Sequence, residues 1–408
     1  MVKIEGGVTA AAGFEAAAVH AQIKEGSAKD DMALVYTKKE AAFAGVFTTN
    51  VVKAAPVQWD KELVETQSVV HGMILNSGIA NACSGAQGRE SNYLMAKSVA
   101  DAMGVQPEQI LTASTGVIGY QLPVDKVSAG AKRLCEKLSP TVEAAHEAAV
   151  AIMTTDTIPK EYAVEFVLDG KTVHVGGMTK GSGMIHPNMA TMLCCVTTDC
   201  AITKDMLQKA LAADVKKTFN MISVDRDTST NDTYIVMANG LAENAVIDCE
   251  GEAFDTFCEA LNEVTTNLAK MMAGDGEGAH KLLEVICNGA ESREQAVTLS
   301  KSVITSNLVK TAVAGNDANW GRILCAMGYS GAQFDPEKVD LVIRSKAGEL
   351  SIVKSGIATD YSEEFATEIL SQEEVTVIID IHMGEETATA WGCDLTHEYI
   401  DINADYRS

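Results

Sequence analysis

KGSGMIHPNMATML, residues Lys180 to Leu193, sets a glycine-rich turn directly against an apolar run. Gly176, Gly177, Gly181 and Gly183 lead into Pro187 and Asn188, which force or tolerate turns, and from Thr191 the chain continues as MLCCVTT. Such a run after a tight loop predicts a buried strand. Thr191 then stands at the entry to that strand, with the small Ala190 on its acyl side. A hydroxyl held against its own preceding carbonyl, with little bulk in the way, is what an N-to-O acyl shift requires. A cut there gives the threonine a free α-amine, which at an ordinary pKa of about 7.7–8.0 can act as base for its own hydroxyl. On the residues alone, an uncut loop entering a core strand is the commoner reading, because threonine is common in strands.

The rest of the chain narrows the setting. At 408 residues it exceeds the size at which one core stops growing, so two lobes or one large layered domain are expected. An apolar fraction of 47% and a charged fraction of 22% are those of a soluble globular protein. No apolar run approaches the ~20 residues of a membrane span. The N-terminal segment MVKIEGGVTAAAGFEAAAVHAQIKEG is interrupted by acids and lacks a signal-peptide core, so a cytoplasmic location is expected. Ten cysteines without a CxxC pair suit reduced thiols rather than structural zinc. The net charge of −24 argues against nucleic acid or an anionic membrane as partner.

Strand character appears in MALVYT (32–37), VVHGMILN (69–76), YAVEFVL (162–168), TYIVMAN (233–239) and VTVIIDIHM (375–383). Residues 252–272 predict an amphipathic helix, with Phe254, Phe257, Cys258, Leu261, Val264, Leu268 and Met271 at helical spacing. Ser91 to Met103 and Val142 to Met153 are weaker versions of the same pattern. No βαβ period dominates, so the expected class is α/β of the α+β layered kind, with large mixed sheets covered by helices.

Several chemistries fall away. GDGEG (274–278) follows a helix and lacks the strand-then-helix setting of a dinucleotide site, and Lys180-Gly181-Ser182 reverses the order of a phosphate loop. Asp225, Asp227 and Asp232 lack the turn glycine and final glutamate of a calcium loop, which leaves a surface acidic loop or a hydrogen-bond network. The histidines form no HxxxH pair and no GxSxG elbow lies near them. Neither a metal nor a cofactor is expected. What remains is a set of small polar segments. STGVIG (114–119) follows PEQILTA and offers the Thr115 hydroxyl and the Gly116 N–H where both can aim at one oxygen, as an oxyanion hole does, although a plain turn is the commoner reading. IMTTDTIPK (152–160), NSGIANACSGAQG (76–88) and VKTAVAGNDANWGR (309–322) have the composition of ligand-lining loops.

Together these segments resemble the glutamate N-acetyltransferase family, also called ornithine acetyltransferase, of arginine biosynthesis. The resemblance runs from GGVTAAAGF to Ser408 and is carried by NSGIANACSG, STGVIG, IMTTDTIPK, KGSGMIHPNMATML, STND, GDGEGA, NWGR and NADYRS. It implies an ornithine acetyltransferase-like fold and a precursor that cuts itself between Ala190 and Thr191. The products would be an alpha chain, 1–190, and a beta chain, 191–408, which stay together and pair into a heterotetramer of two alpha and two beta chains. It implies that Thr191 takes the acetyl group from N-acetylornithine, releases ornithine and passes the acetyl to glutamate, a ping-pong route through an acetyl-threonine ester. Thr115 and Gly116 match the family's oxyanion hole, and Thr154, Lys180, Thr191, Glu277, Asn403 and Ser408 match its substrate-binding positions. In that setting Lys180 suits an α-carboxylate and Glu277 the ornithine ammonium. Without the resemblance both read as solvated charges.

Two positions depart from the family pattern. Arg226 stands where VDGDTSTND has glycine, and Ile79 where NSGNANAC has asparagine. The motifs leave open whether acetyl-CoA is also a donor; with no phosphate loop and a charge of −24, N-acetylornithine is the expected preferred donor. Two rival readings stand beside this one. A threonine-nucleophile amidohydrolase or aminopeptidase of related fold would send the acyl group to water, and a non-catalytic binding protein would leave Thr191 an ordinary strand residue.

Overall fold

The computed structural model describes residues 1–24, 26–186 and 192–404. Thr191, Ala190 and Ser408, all expected site residues, lie outside them. Two mixed sheets organise the described residues. The nine-stranded sheet contains β1 (Val2–Ile4), β2 (Phe14–Val19), β3 (Met32–Phe47), β4 (Val69–Ile79), β5 (Ile110–Val117), β6 (Lys160–Leu168), β7 (Lys171–Lys180), β8 (Leu193–Thr198) and β9 (Thr233–Ala238). Its order is β1-β6-β7-β8-β9-β3-β4-β5, with β2 paired to β3. The β4–β5 and β8–β9 pairs are parallel and the others antiparallel. The six-stranded sheet holds β10 (Leu282–Ala290), β11 (Asp340–Ser345), β12 (Gly348–Lys354), β13 (Ile357–Ala358), β14 (Glu374–Asp380) and β15 (Glu386–Cys393).

The helices are α1 (Ala55–Thr66), α2 (Gly85–Met103), α3 (Val124–Lys137), α4 (Val142–Ala151), α5 (Lys204–Asp214), α6 (Glu252–Gly274), α7 (Arg293–Ile304), α8 (Asn307–Ala314), α9 (Trp320–Gly328), α10 (Glu363–Leu370) and α11 (His397–Ala404). The α6 stripe of Phe257, Leu261, Val264 and Leu268 is fully buried. This helix packs against β6 and β7 of one sheet and against β10 and β15 of the other, so it forms the layer that joins them. Every residue of β8 is buried, with Cys194 and Val196 in the core shared with α6 and Leu193 and Cys195 in the core on the opposite side. Coverage of both faces is why MLCCVTT reads as a continuous apolar run rather than an alternation. The ten cysteines are free thiols, and burial pushes Cys195 and Cys200 up to about 12. Among the described residues no helix is long and apolar enough to cross a membrane.

Two boundaries differ from the sequence expectation. Pro107–Gln109 form a short 3-10 turn, and the strand after it runs from Ile110 to Val117, absorbing most of the segment expected to be a loop. Parallel pairing with β4 persists to Ile79 opposite Val117, which keeps Ser114–Val117 extended. Helix α2 begins at Gly85 rather than Ser91; Gly85 and Gly88 are poor helix formers and hide its first turns.

Candidate active site

At the ends of β5 and β7 lies a cleft of about 360 Å³ whose walls include Thr115, Gly116, Thr154, Lys180, Glu277 and Asn403. These come from the end of β5, the loop after α4, the last residue of β7, the turn after α6 and the last helix, α11. All the expected oxyanion and substrate positions among the described residues therefore converge on one cavity.

Glycine makes that convergence possible at two points. Gly116 has φ +125°, and a β-carbon on it would lie 2.2 Å from the carbonyl carbon of Gly78, its register partner on β4. Backbone meets backbone there, so a side chain at position 116 is excluded both by conformation and by space. A β-carbon on Gly183 would lie 2.3 Å from the Glu277 carboxylate. That carboxylate fills the space left empty, and the Glu277 N–H donates to the Ser182 carbonyl at 2.9 Å. Asn231 was not singled out in the sequence, yet it ties the cleft floor together. Its side-chain amide donates to the carbonyls of Ala80 at 2.6 Å and Ser114 at 2.7 Å, joining the ends of β4 and β5 to the turn before β9.

Lys180 and Glu277 are both buried, at 4% and 8% exposure, which removes the reading of either as a solvated charge. The Lys180 ammonium donates to the Thr154 hydroxyl at 2.8 Å and, at 3.5 Å, to that of Thr115. Burial lowers its pKa, with Asp156, Glu277 and Asp232 opposing and Lys160 adding to the fall. Glu277 accepts from the Asn403 amide at 2.7 Å, so the final helix is docked onto the cleft wall.

Behind that wall sits a buried ion cluster that sequence reading missed. The Lys160 ammonium lies 2.7 Å from Asp156 and 2.5 Å from Asp275. A lysine at the start of a strand with an aspartate four residues earlier gives only a faint signal, and the second partner is 115 positions away. Burial, the largest influence, pushes Asp156 up, but Lys180 and Lys160 outweigh it and hold the carboxyl below the usual range.

The acidic residues 225–232 resolve into a hydrogen-bond network rather than a surface loop. Asp225 accepts the N–H groups of Met184 at 2.6 Å and Ile185 at 2.8 Å, while Asp232 accepts that of Met192 at 2.7 Å. They secure the chain before and after the expected cleavage junction. Arg226 has φ +72°, in the left-handed region that favours glycine, and its guanidinium donates to Thr305. Ile79 packs at the margin of the core formed with α2 and α3. The segment 309–322, grouped with the ligand-lining loops, lies elsewhere, on α8 and α9.

Comparisons with known proteins match nearly the whole chain. A family model described as the ArgJ family matches residues 15–408. The arginine biosynthesis bifunctional protein ArgJ of Symbiobacterium thermophilum is 50% identical over 406 residues, covering 99% of both chains. The corresponding protein ArgJ 1 of Clostridium acetobutylicum is 48% identical over 395 residues, 97% of this chain and 96% of its own. A crystal structure of the Bacillus halodurans protein, 45% identical, covers 51% of this chain and 96% of its own at a TM-score of 0.49. A near full-length match at this identity, together with a cleft assembled from the motif residues, places the chain in the ArgJ family.

Proposed function

We propose that the cleft carries out acetyl transfer from N-acetylornithine to glutamate, with Thr191 as nucleophile after self-cleavage at Ala190-Thr191. Membership of the ArgJ family makes the chain an acetyltransferase of arginine biosynthesis. The observation that carries the site assignment is the meeting of Thr115, Gly116, Thr154, Lys180, Glu277 and Asn403 from distant segments in one cavity. In the proposed route the Thr191 hydroxyl attacks the acetyl carbonyl while the α-amine takes its proton. Thr115 and Gly116 stabilise the oxyanion, and collapse returns the proton to the departing ornithine amine. The glutamate amine then attacks the acetyl-threonine ester by the reverse sequence. Lys180 would hold the α-carboxylate common to both amino acids and Glu277 the ornithine ammonium. Alpha and beta chains of 1–190 and 191–408, a tetramer of two of each, and Ser408 as a substrate contact belong to the same reading. So does N-acetylornithine as a strongly preferred donor over acetyl-CoA.

The test is Thr191→Ala. It is expected to run on a denaturing gel as one uncut chain of 43.2 kDa with no transfer activity, whereas the unaltered protein gives a fragment beginning Thr191-Met192-Leu193. Cleavage at the same bond in the variant would overturn the nucleophile. Ornithine release at the same rate without glutamate as with it would favour the hydrolase reading instead.

A further inference from the structure

We propose that Asp156, which is not part of the cleft wall, is its positioning residue, fixing Lys180 and Thr154 against each other and tying them to the turn that carries Glu277. This rests on the reading of the cleft given above. The geometry is a hub. One Asp156 oxygen accepts the Thr154 N–H at 3.0 Å and lies 3.7 Å from the Lys180 ammonium. The other accepts the Gly181 N–H at 2.7 Å and pairs with Lys160 at 2.7 Å. Lys160 passes the link to Asp275, which also accepts the Thr157 N–H at 3.0 Å and stands two residues before Glu277. The side chains of Asp156 and Lys160 are wholly inaccessible to solvent.

A buried ion pair is weak evidence of a stability role, because well-packed apolar side chains often serve as well. The arrangement has a clearer use in binding. Charged groups acting on Lys180 are Asp156, Lys160, Glu277 and Asp232, and Lys24 lies close enough to couple to it. Burial drives the ammonium to lose its proton, and Asp156 is the strongest group opposing that. Without the carboxylate, Lys180 would face Lys160 and Lys24 with a like charge on each and would deprotonate at lower pH. A neutral amine no longer attracts a substrate carboxylate.

The experiment is Asp156→Asn in the full chain, with KM and kcat for N-acetylornithine and glutamate followed from neutral to alkaline pH. Alongside it, the Lys180 side chain is titrated by NMR of ¹³Cε-labelled lysine, assigned with Lys180→Met. The expected result is a Lys180 titration, and with it the alkaline rise in KM, moved to lower pH by about one to three units, the effect of losing an opposite charge at this range. KM should change more than kcat. A Lys180 titration and a KM profile both unmoved in folded Asp156→Asn protein would overturn the proposal. If that variant fails to fold, the double variant Asp156→Asn, Lys160→Met removes both members of the buried pair. Loss of the like-charged Lys160 offsets part of the shift, so a smaller move in the same direction is expected because Asp156 is the stronger influence, and a titration unmoved or raised would overturn the proposal. A moved titration together with a KM unaffected by Lys180→Met would support the positioning role while overturning the carboxylate reading of the cleft.

Discussion

The cleft beside Lys180 and the cavity of about 300 Å³ beside Arg322 are built from similar residues, yet they are put together differently. At the Arg322 cavity most polar groups are used locally. Ser306 and Asn319 cap the first turns of α8 and α9, and the Arg322 guanidinium donates to the Leu308 carbonyl at 2.8 Å. In the cleft the partners are remote: Asn231 reaches Ala80 across 151 positions and Asn403 reaches Glu277 across 126. Both segments look like binding loops in sequence because small polar residues serve helix caps and ligand pockets alike. A buried cation with no helix end to satisfy is the feature that separates them.

Mutations can break or sharpen this contrast. Thr115→Val removes a hydroxyl from the cleft and, if that hydroxyl faces the developing oxyanion, should lower kcat by about 10²–10³ while KM moves little. An unchanged kcat in correctly cleaved protein would remove Thr115 from the chemistry. Asn403→Ala deletes the hydrogen bond to Glu277 without touching the reacting atoms. It should raise KM for N-acetylornithine several-fold, with self-cleavage intact on a denaturing gel. Unaltered kinetics would mean that α11 docks on the cleft without serving it. Asn319→Ala, at the other cavity, should cost about 0.5–2 kcal/mol of stability through the lost cap and leave kcat/KM unchanged. A kinetic defect there would make the two cavities functionally alike.

The subtlest test is electrostatic. Lys24 donates to the Met153 carbonyl at 2.6 Å, and burial, then Lys180, lowers its pKa from 10.5 to about 8. Between those values the unfolded chain binds more protons at this site than the folded one, so stability rises with pH. The penalty is complete below the folded pKa and gone above the unfolded one. Lys24→Met should therefore be more stable than wild type at neutral pH, with the gap closing as pH climbs through that window. Urea midpoints at neutral and alkaline pH give the measurement, and a constant gap would show that Lys24 is not coupled to folding.

Much of this was legible in the sequence. The strands at β4, β6, β9 and β14 follow the predicted runs, and α6 was readable from its apolar stripe because each signal is local. Thr115 and Gly116 were readable from STGVIG as a candidate oxyanion pair, whereas Lys180, Glu277 and Asn403 were legible as cleft residues only through family resemblance. Asp156 and Asp275 were not legible at all: each reads as an ordinary loop acid until folding places Lys160 between them. The role of Gly183 was equally hidden, since its need for a missing side chain depends on a glutamate far along the chain.

The strand order also bears on what a cut at 190/191 does to the molecule. Strands β8 and β9 lie between β7 and β3, so the sheet interleaves segments from both sides of the junction. A cut there would free two polypeptides on denaturation, which would make unfolding stability depend on protein concentration. The uncut precursor renatures as a single molecule. A chain cut at the proposed junction would have to find its other half, so dilution would slow its recovery from denaturant.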